Sequence, residues 1–232
     1  MSLPSTIAVD GPAGSGKSSV SFAVAQRLGY LFVDTGAFYR AITLLALDND
    51  TDPADSARVV QLIRATDFDM TPDLADDGRQ FTFLTNGIDI TPRLHQPEVD
   101  KYVSIIAASG EIRAVILDTQ RELAARGNVI MAGRDIGSVV LPDADLKIFI
   151  DASLDKRAER RYKQRLANHE PADLDSIRNG LANRDQIDST RDVAPLRKPD
   201  DAIALDTTDL TLEESIDAAH NIILAWSDNT SG

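Results

Sequence analysis

The chain has 232 residues, of which 43% are hydrophobic and 5% aromatic, and its formal net charge is −13. This length suits one α/β domain, or a core with a small inserted lobe. An acidic surface repels nucleic acids and anionic membranes, so we expect neither as a partner. An anionic substrate would then need a locally basic pocket. The absence of cysteine excludes disulfides, thiolate metal sites and cysteine nucleophiles.

The location of the protein is suggested by what the sequence lacks. Its apolar runs fall short of the roughly 20 residues that cross a bilayer. The first ten residues do not combine a basic region with a long apolar stretch, so we expect no secretory signal. A chain without cysteine also fits a reducing compartment, and we therefore expect a cytoplasmic protein.

Strands and helices alternate along most of the chain. Residues 5–10 predict a strand, followed by a glycine-rich turn and a helix over residues 17–28. This alternation implies a parallel sheet covered by helices on both faces. Further strands are predicted over residues 30–34, 128–131, 144–150 and 202–206, and further helices over residues 36–47 and 211–226. Thr211, with Glu214 three residues on, is typical of a helix start.

The alternation breaks between about residues 53 and 94. Residues 67–70 and 80–85 predict two short antiparallel strands around a turn rich in proline, aspartate and glycine. Two helices are then predicted, over residues 97–108 and 111–126. This segment is therefore expected to form an inserted lobe.

A glycine-rich segment follows the first predicted strand. Residues Gly11 to Ser18 match G-x-x-x-x-G-K-[ST] between a strand and a helix. In such a loop the backbone N–H groups and the helix N-terminus bind phosphates. We expect Lys17 to reach the β- and γ-phosphates of a bound nucleotide, and the Ser18 hydroxyl to bind Mg²⁺. The expected nucleotide-binding residues are Gly11, Pro12, Ala13, Gly14, Ser15, Gly16, Lys17, Ser18 and Ser19.

The loop alone does not name the reaction. A turn without a ligand is the alternative, and a GTP-dependent switch is disfavoured because the chain lacks an N-K-x-D stretch. Residues 34–40 (DTGAFYR) and 133–137 (GRDIG) each follow a predicted strand, at the edge where α/β sheets bind ligands. There Thr35 is predicted to cap a helix and Arg40 to point toward the cleft. Structural turns or surface arginines remain the alternatives.

Two arginine-rich segments lie in the C-terminal third. Arg184, Asp188 and Arg191 recur at helical spacing, so we expect them to share one helix face. A second predicted helix carries Arg157, Arg160, Arg161 and Arg165, and such a helix suits a closing lid that brings charge onto a transferring phosphoryl group. In both cases a solvated helix with balancing acidic residues is the alternative.

Taken together, these segments resemble the bacterial cytidylate kinases. The blocks GPAGSGKSS, DTGAFYRA, NGIDIT, SIIAASGEIR, GRDIGSVVLPDADLKIFIDAS, RAERR and RDQIDSTRDVAPL match that family in order and spacing, over nearly the whole chain. The resemblance implies an α/β fold, a P-loop three-layer sandwich with a parallel central sheet. Its core would comprise residues 1–52, 127–152 and 195–226, with an NMP-binding lobe at about 53–126, a helical lid at about 153–194 and a frayed tail at 227–232.

The resemblance also implies a reaction and a set of residues. The expected activity is ATP-dependent phosphorylation of CMP, and also of dCMP, by a monomer with Mg²⁺. By this resemblance Ser104, Arg113 and Asp135 would read the base, Arg184 and Asp188 would bind the ribose, and Thr35, Arg40, Arg134 and Arg191 would bind the CMP phosphate. Lys17, Arg157, Arg160 and Arg161 would be catalytic. A carboxylate is a natural acceptor for the exocyclic amine of cytosine, and it would repel the carbonyl of uracil.

The sequence departs from the family pattern at three positions. Ala132 stands where an acidic residue usually precedes GRD, which leaves Mg²⁺ to Ser18, waters and Asp34. Gly110 replaces a proline at a predicted helix start, which loosens that start. The pair at 94–95 is Leu-His in place of Ile-Arg.

Two rival functions remain open on the sequence. A related kinase could act on UMP or on a small metabolite alcohol, although an alcohol would need a general base and would not need Arg184 and Asp188 for a ribose. A nucleotide-gated regulatory module would bind ATP tightly and turn it over slowly.

Overall fold

The computed structural model describes residues 3–71, 79–167 and 169–229, which form alternating strands and helices followed by a closing helix. In chain order the elements are β1 (Thr6–Asp10), α1 (Lys17–Leu28), β2 (Leu31–Asp34), α2 (Thr35–Asp48), α3 (Ser56–Arg64), β3 (Phe68–Thr71), β4 (Thr82–Thr85), β5 (Ile88–Asp89), α4 (Pro97–Ala108), α5 (Gly110–Ala124), β6 (Val129–Gly133), β7 (Leu146–Asp151), α6 (Leu154–Ala167), α7 (Leu174–Thr190), β8 (Ile203–Asp206) and α8 (Leu212–Asn229). A 3₁₀ turn spans Thr91–Arg93 and a π-helical turn spans Ile136–Val140. The described helices include none with the length and apolar character of a membrane span.

The chain divides into two units, Met1–Tyr30 with Asn128–Gly232, and Leu31–Gly127. In the first unit β6, β1, β7 and β8 lie side by side in that order within a parallel sheet. The register pairs Asp10 with Gly133 on one side and with Phe149 on the other. The carboxyl ends of β1, β6 and β7 therefore meet at one edge, and the segments after them start there.

The core of the first unit explains its apolar strands. Residues of β1 and β6 are buried at nearly every position, as expected for strands of a parallel sheet that is covered on both faces. On one face α1 and α8 pack together. The side chains that surround a small void there are Ile7, Val9, Val20, Ser21, Val24, Ile130, Ile148, Ile150, Ala219 and Ile223.

The second unit has its own core. Strands β3, β4 and β5 form an antiparallel sheet, in which Phe68 pairs with Thr85. Phe83 of β4 is fully buried, and its ring meets that of Phe38 of α2 edge-on at 4.9 Å between centroids. Helix α2 packs against α3 and α4, and α5 packs against α3. These contacts hold the helices that carry several predicted site residues.

Most predicted elements are present. The helices expected over 17–28 and 97–108 have those bounds, and the expected antiparallel strands pair as β3 and β4. Helix α8 continues to Asn229, so residues 227–229, which were expected in the frayed tail, are helical. Residues 72–78, within the predicted turn, and residues 230–232 of the predicted tail lie outside the described residues.

One expectation about a helix start was wrong. Thr35 is the first residue of α2, and Asp34 is the cap, because its carboxylate accepts the Gly36 N–H at 2.8 Å. At the start of α5 the Ser109 hydroxyl accepts the Ile112 N–H at 3.4 Å, and the expected loosening by Gly110 stays a prediction.

Thr211 and Glu214 form the predicted reciprocal cap at the start of α8. The Thr211 N–H donates to Glu214 Oε2 at 2.8 Å, and the Glu214 N–H donates to Thr211 Oγ1 at 3.2 Å. Thr211→Ala should therefore lower the free energy of unfolding by about 1 kcal/mol, measured by urea denaturation. Thr211→Ser keeps the hydroxyl and should retain most of that stability. Equal losses in both variants would contradict a capping role.

Candidate functional site

The segment Gly11–Ser18, which the sequence predicts to bind phosphates and which we call the phosphate-binding loop, connects β1 to α1. It requires glycine at specific positions. A Cβ atom built on Gly11 would lie 2.0 Å from the carbonyl oxygen of Ile150, so only glycine allows this close approach to the end of β7. Gly16 has φ 88° and precedes the first helical residue, Lys17, without a side-chain cap. Because glycine has no side chain, Gly16 cannot cap the N–H groups at the start of α1. These N–H groups are suited to bind an anion.

Cationic side chains hold the carbonyl oxygens of this loop. The contacts are Lys17 Nζ to Pro12 O at 3.1 Å, Arg134 Nη1 to Gly11 O at 3.0 Å, Arg157 Nη1 to Ala13 O at 3.0 Å and Arg160 Nη1 to Ser15 O at 3.4 Å. In a trans peptide the C=O and the following N–H point in opposite directions. The N–H groups of Ala13, Gly14 and Gly16 therefore point away from the cations that hold the preceding carbonyls.

An arginine–aspartate network (Arg134, Asp135, Asp188 and Arg191) lies at the same edge of the sheet. Arg134 Nε donates to Asp188 Oδ2 at 2.9 Å, and Arg191 Nη2 lies 3.5 Å from Asp135 Oδ1. Arg191 Nη1 lies 3.9 Å from Asp188 Oδ1 and Arg184 Nε lies 4.0 Å from Asp188 Oδ2. The structure thus brings together five predicted site residues, which are Arg134 and Asp135 of GRD, Arg184 and Asp188 of α7, and Arg191 directly after α7.

The prediction that Arg184, Asp188 and Arg191 share one helix face was wrong for Arg191. Helix α7 ends at Thr190, and Arg191 follows it with extended backbone angles. Arg191 reaches the network because the chain turns there, and its Nε donates to Ala194 O at 2.7 Å.

The arginines of α6 divide into two pairs. Arg157 is 6% exposed and donates from Nε to Ala152 O at 2.9 Å, so the alternative of a fully solvated helix fails for it. Arg160 is half-buried and donates to the Thr207 hydroxyl at 3.1 Å. Arg161 donates to Gln164 at 2.8 Å, and Arg165 lies 3.9 Å from Glu170. Arg157 and Arg160 are thus the pair that contacts the phosphate-binding loop.

The predicted site residues of the second unit lie on α2, α4 and α5. Arg40 of α2 donates to Asp100 Oδ1 at 2.6 Å and to Leu94 O at 3.1 Å. Arg113 of α5 is buried, donates to Ala107 O at 3.2 Å and lies over the Tyr39 ring at 5.3 Å. Ser104 is exposed on α4, whereas Thr35 is buried at the start of α2.

Sequence reasoning missed Asp10, the last residue of β1. Its side chain is 2% exposed, and its two oxygens accept the N–H groups of Ile136 at 2.7 Å and Gly137 at 2.8 Å. These bonds fix the turn directly after Asp135. Burial raises the pKa of Asp10 to about 6, and the two N–H donors oppose that rise. Its place before the glycine-rich loop was the only sequence signal.

The side chains that could bind a metal do not form a cluster in the part of the chain that the structure describes. Among residues 3–71, 79–167 and 169–229, no cluster of three or more His, Asp or Glu side chains is arranged to hold a metal ion. Ala132 is fully buried in β6. The Asp34 carboxylate, a predicted Mg²⁺ ligand, accepts the Gly36 N–H.

The titration of Asp10 should be visible in stability. Its pKa of about 6 in the folded chain exceeds the ordinary value of 3.8, so the folded state binds the proton more tightly than the unfolded state. This contribution to stability is fully present below the unfolded pKa and is lost as pH rises through the folded pKa. From about pH 7 to about pH 5, the wild type should gain about 1 kcal/mol in unfolding free energy relative to Asp10→Asn. Urea denaturation of both proteins across this pH range measures the difference. If the unfolding free energies of the wild type and Asp10→Asn changed in parallel with pH, the raised pKa of Asp10 would be contradicted.

Comparisons with known proteins agree on one family. The family model described as "Cytidylate kinase" matches residues 7–224. A protein named "Cytidylate kinase" from Geobacillus sp. (strain WCH70) is 43% identical over 94% of this chain and 95% of its own length. Another of that name, from Roseiflexus castenholzii (strain DSM 13941 / HLO8), is 48% identical over 81% of this chain and 82% of its own length.

A solved structure supports the fold. The crystal structure of a gluconokinase from Sinorhizobium meliloti 1021 has a TM-score of 0.53 and 16% identity, covering 100% of this chain and 98% of that one. At this identity the likeness bears on the fold alone. The predicted α/β class with a parallel sheet is confirmed, and the chain belongs to the cytidylate kinase family.

Proposed function

We propose that this protein transfers the γ-phosphoryl group of ATP to the phosphate of CMP, which yields CDP and ADP. The observation that carries the proposal is the phosphate-binding loop with its carbonyls held by cations, beside the arginine–aspartate network at the same sheet edge. Family membership and the names of the relatives support CMP as the acceptor.

The donor nucleotide binds to the loop. Its phosphates accept hydrogen bonds from the N–H groups of Ala13, Gly14 and Gly16 and from the start of α1, where Ser18 and Ser19 lie. The buried ammonium of Lys17 compensates the charge of the β- and γ-phosphates. The acidity of the whole molecule does not prevent this, because the loop and its arginines are locally cationic.

Within the first unit, CMP binds to the arginine–aspartate network. The buried carboxylate of Asp135 accepts the exocyclic amine of cytosine, and would face the carbonyl of uracil with like polarity. Asp188 and Arg184 bind the ribose, and Arg134 and Arg191 bind the phosphate. From the second unit we assign Ser104 and Arg113 to the base, and Thr35 and Arg40 to the phosphate.

The transfer needs positioning and charge compensation more than proton transfer. An anionic oxygen of CMP forms the new bond to the γ-phosphorus while the bond to the β,γ-bridging oxygen of ATP breaks, and ADP leaves with that electron pair. The nucleophile already lacks a proton at neutral pH, so no general base is required. Lys17 and the α6 arginines Arg157, Arg160 and Arg161 stabilise the charge, with Arg157 and Arg160 acting from the loop they hold.

The side chains at the loop fit a magnesium ion that is bound largely by phosphates and water, as is usual for this metal. The Ser18 hydroxyl is an oxygen ligand of the required kind, whereas Ala132 offers none and Asp34 already caps α2. When bound, the ion would neutralise charge on the β- and γ-phosphates. This assignment needs no acidic residue at position 132.

Further parts of the proposal rest on the family. We propose dCMP as a second acceptor, a monomeric state and a cytoplasmic location. We also propose that residues of about 53–126 form the NMP-binding lobe and those of about 153–194 form the lid.

The proposed function is tested by offering CMP, dCMP, UMP and AMP with ATP and Mg²⁺ while measuring ADP release. CMP should be the preferred acceptor. Lys17→Ala should lower turnover roughly a hundredfold or more, because the phosphates lose their buried cation. Lys163→Ala, which removes an exposed lysine of α6, is the matched control and should retain activity. Preference for UMP, for AMP or for a metabolite alcohol would contradict the proposal, as would normal activity of Lys17→Ala.

Asp135→Ala should lower kcat/KM for CMP. The corresponding loss of transition-state stabilisation should be about 1–3 kcal/mol, the range expected for one good contact to a base edge. The loss for UMP should be much smaller, because uracil gains nothing from a carboxylate. Asp135→Asn presents a donor as well as an acceptor, and should raise the rate with UMP relative to CMP. Equal losses for both acceptors, measured in the same assay, would remove Asp135 from base recognition.

A further inference from the structure

Asp185 is a charged residue of α7 to which the proposed function gives no role. Its Oδ2 lies 2.7 Å from Nη1 of Arg157, and the side chains are 25% and 7% exposed, respectively. Removing the charge of one partner from such a pair leaves the other insufficiently compensated. The conformation of Arg157 therefore depends on Asp185.

Arg157 connects three parts of the first unit. Its Nε donates to Ala152 O at 2.9 Å, next to the end of β7, and its Nη1 donates to Ala13 O at 3.0 Å. Its ion pair with Asp185 adds α7. A guanidinium group is planar and presents its donors in a fixed arrangement, so these contacts together define its orientation.

The Ala13–Gly14 peptide takes its orientation from this guanidinium. With the Ala13 carbonyl held by Arg157, the Gly14 N–H points the opposite way. Gly14 has φ 75°, and a Cβ atom built on it would lie 3.3 Å from the Cβ of Arg157. The loop backbone therefore lies directly against α6 at this residue, and a shift of Arg157 would move this peptide.

We propose that Asp185 is a positioning residue for the nucleotide-binding loop. It fixes the guanidinium of Arg157, which holds the Ala13 carbonyl and so directs the Gly14 N–H toward the phosphates of ATP. The inference rests on the proposed function in that it takes ATP as the ligand of the loop. It extends the site to an acidic residue that contacts neither nucleotide.

A second ion pair between α6 and α7 provides a matched control. Asp155 Oδ1 lies 2.6 Å from Arg178 Nε, and the side chains are 72% and 47% exposed, respectively. This pair joins the same two helices at nearly the same distance, but within the described residues its hydrogen bonds do not reach the loop. Asp155→Asn therefore tests whether the loss of any ion pair between α6 and α7 is enough to weaken nucleotide binding.

The experiment measures the Kd of the purified full chain for the non-hydrolysable ATP analogue AMP-PNP, in the presence of Mg²⁺, by isothermal titration calorimetry. Asp185→Asn should raise the Kd about tenfold, the expected effect of weakening one charge-assisted bond. Asp155→Asn should stay within about twofold of the wild type. Thermal unfolding of each variant is measured in parallel, so that a loss of stability is separated from a loss of affinity.

A second variant keeps the test decisive if Asp185→Asn does not fold. Arg157→Lys retains a positive charge for Asp185, but a single ammonium cannot reproduce the three guanidinium contacts. It should also raise the Kd for AMP-PNP. In the double variant the two effects should be non-additive, because both act through one guanidinium.

The outcomes are distinguishable. An unchanged Kd for Asp185→Asn or for Arg157→Lys would overturn the inference, as would an equal loss for Asp155→Asn. Additive effects in the double variant would overturn it too, since Asp185 would then act independently of Arg157. If AMP-PNP binds to the wild type but CMP is not phosphorylated, the proposed acceptor fails, and the inference about Asp185 is still decided by the ratio of the Kd values.

Discussion

The site depends on one physical constraint, the binding of loop carbonyl oxygens by cationic side chains. The carbonyls of Gly11, Pro12, Ala13 and Ser15 accept hydrogen bonds from Arg134, Lys17, Arg157 and Arg160. A buried carbonyl needs a partner, and here the partner also decides which way the peptide faces. The loop backbone is thus already oriented to bind an anion in the absence of a ligand. The conformational entropy of ordering the loop is lost on folding and not on binding.

The same constraint reconciles an acidic molecule with anionic substrates. The net charge is −13, yet the sheet edge gathers arginines whose charges are compensated by Asp185 and Asp188 of α7 and by Asp135. These carboxylates allow the guanidinium groups to be partly buried without an uncompensated charge. We propose that the phosphate and the ribose hydroxyls of CMP then bind to arginines and aspartates that are already oriented.

The sequence predicted what is local and missed what is distant. The bounds of α1 and α4, and the cap at Thr211, follow from periodicity and from cap residues a few positions apart. The cap of α2 was misplaced by one residue, because Asp34 and Thr35 are both of residue types that cap helices. The burial of Arg157 and the role of Asp10 depend on partners 144 and 126 positions away, respectively, which no local pattern encodes.

The most direct test of the central claim is a crystal structure of the protein with CMP, AMP-PNP and Mg²⁺. We expect Arg157 and Arg160 still to hold the carbonyls of Ala13 and Ser15, with the phosphates of the analogue on the N–H groups of Gly14 and Gly16. We also expect the cytosine amine within hydrogen-bond distance of Asp135. Arginines that leave the carbonyls while the phosphates still bind to the loop, or an Asp135 turned away from CMP, would contradict this claim.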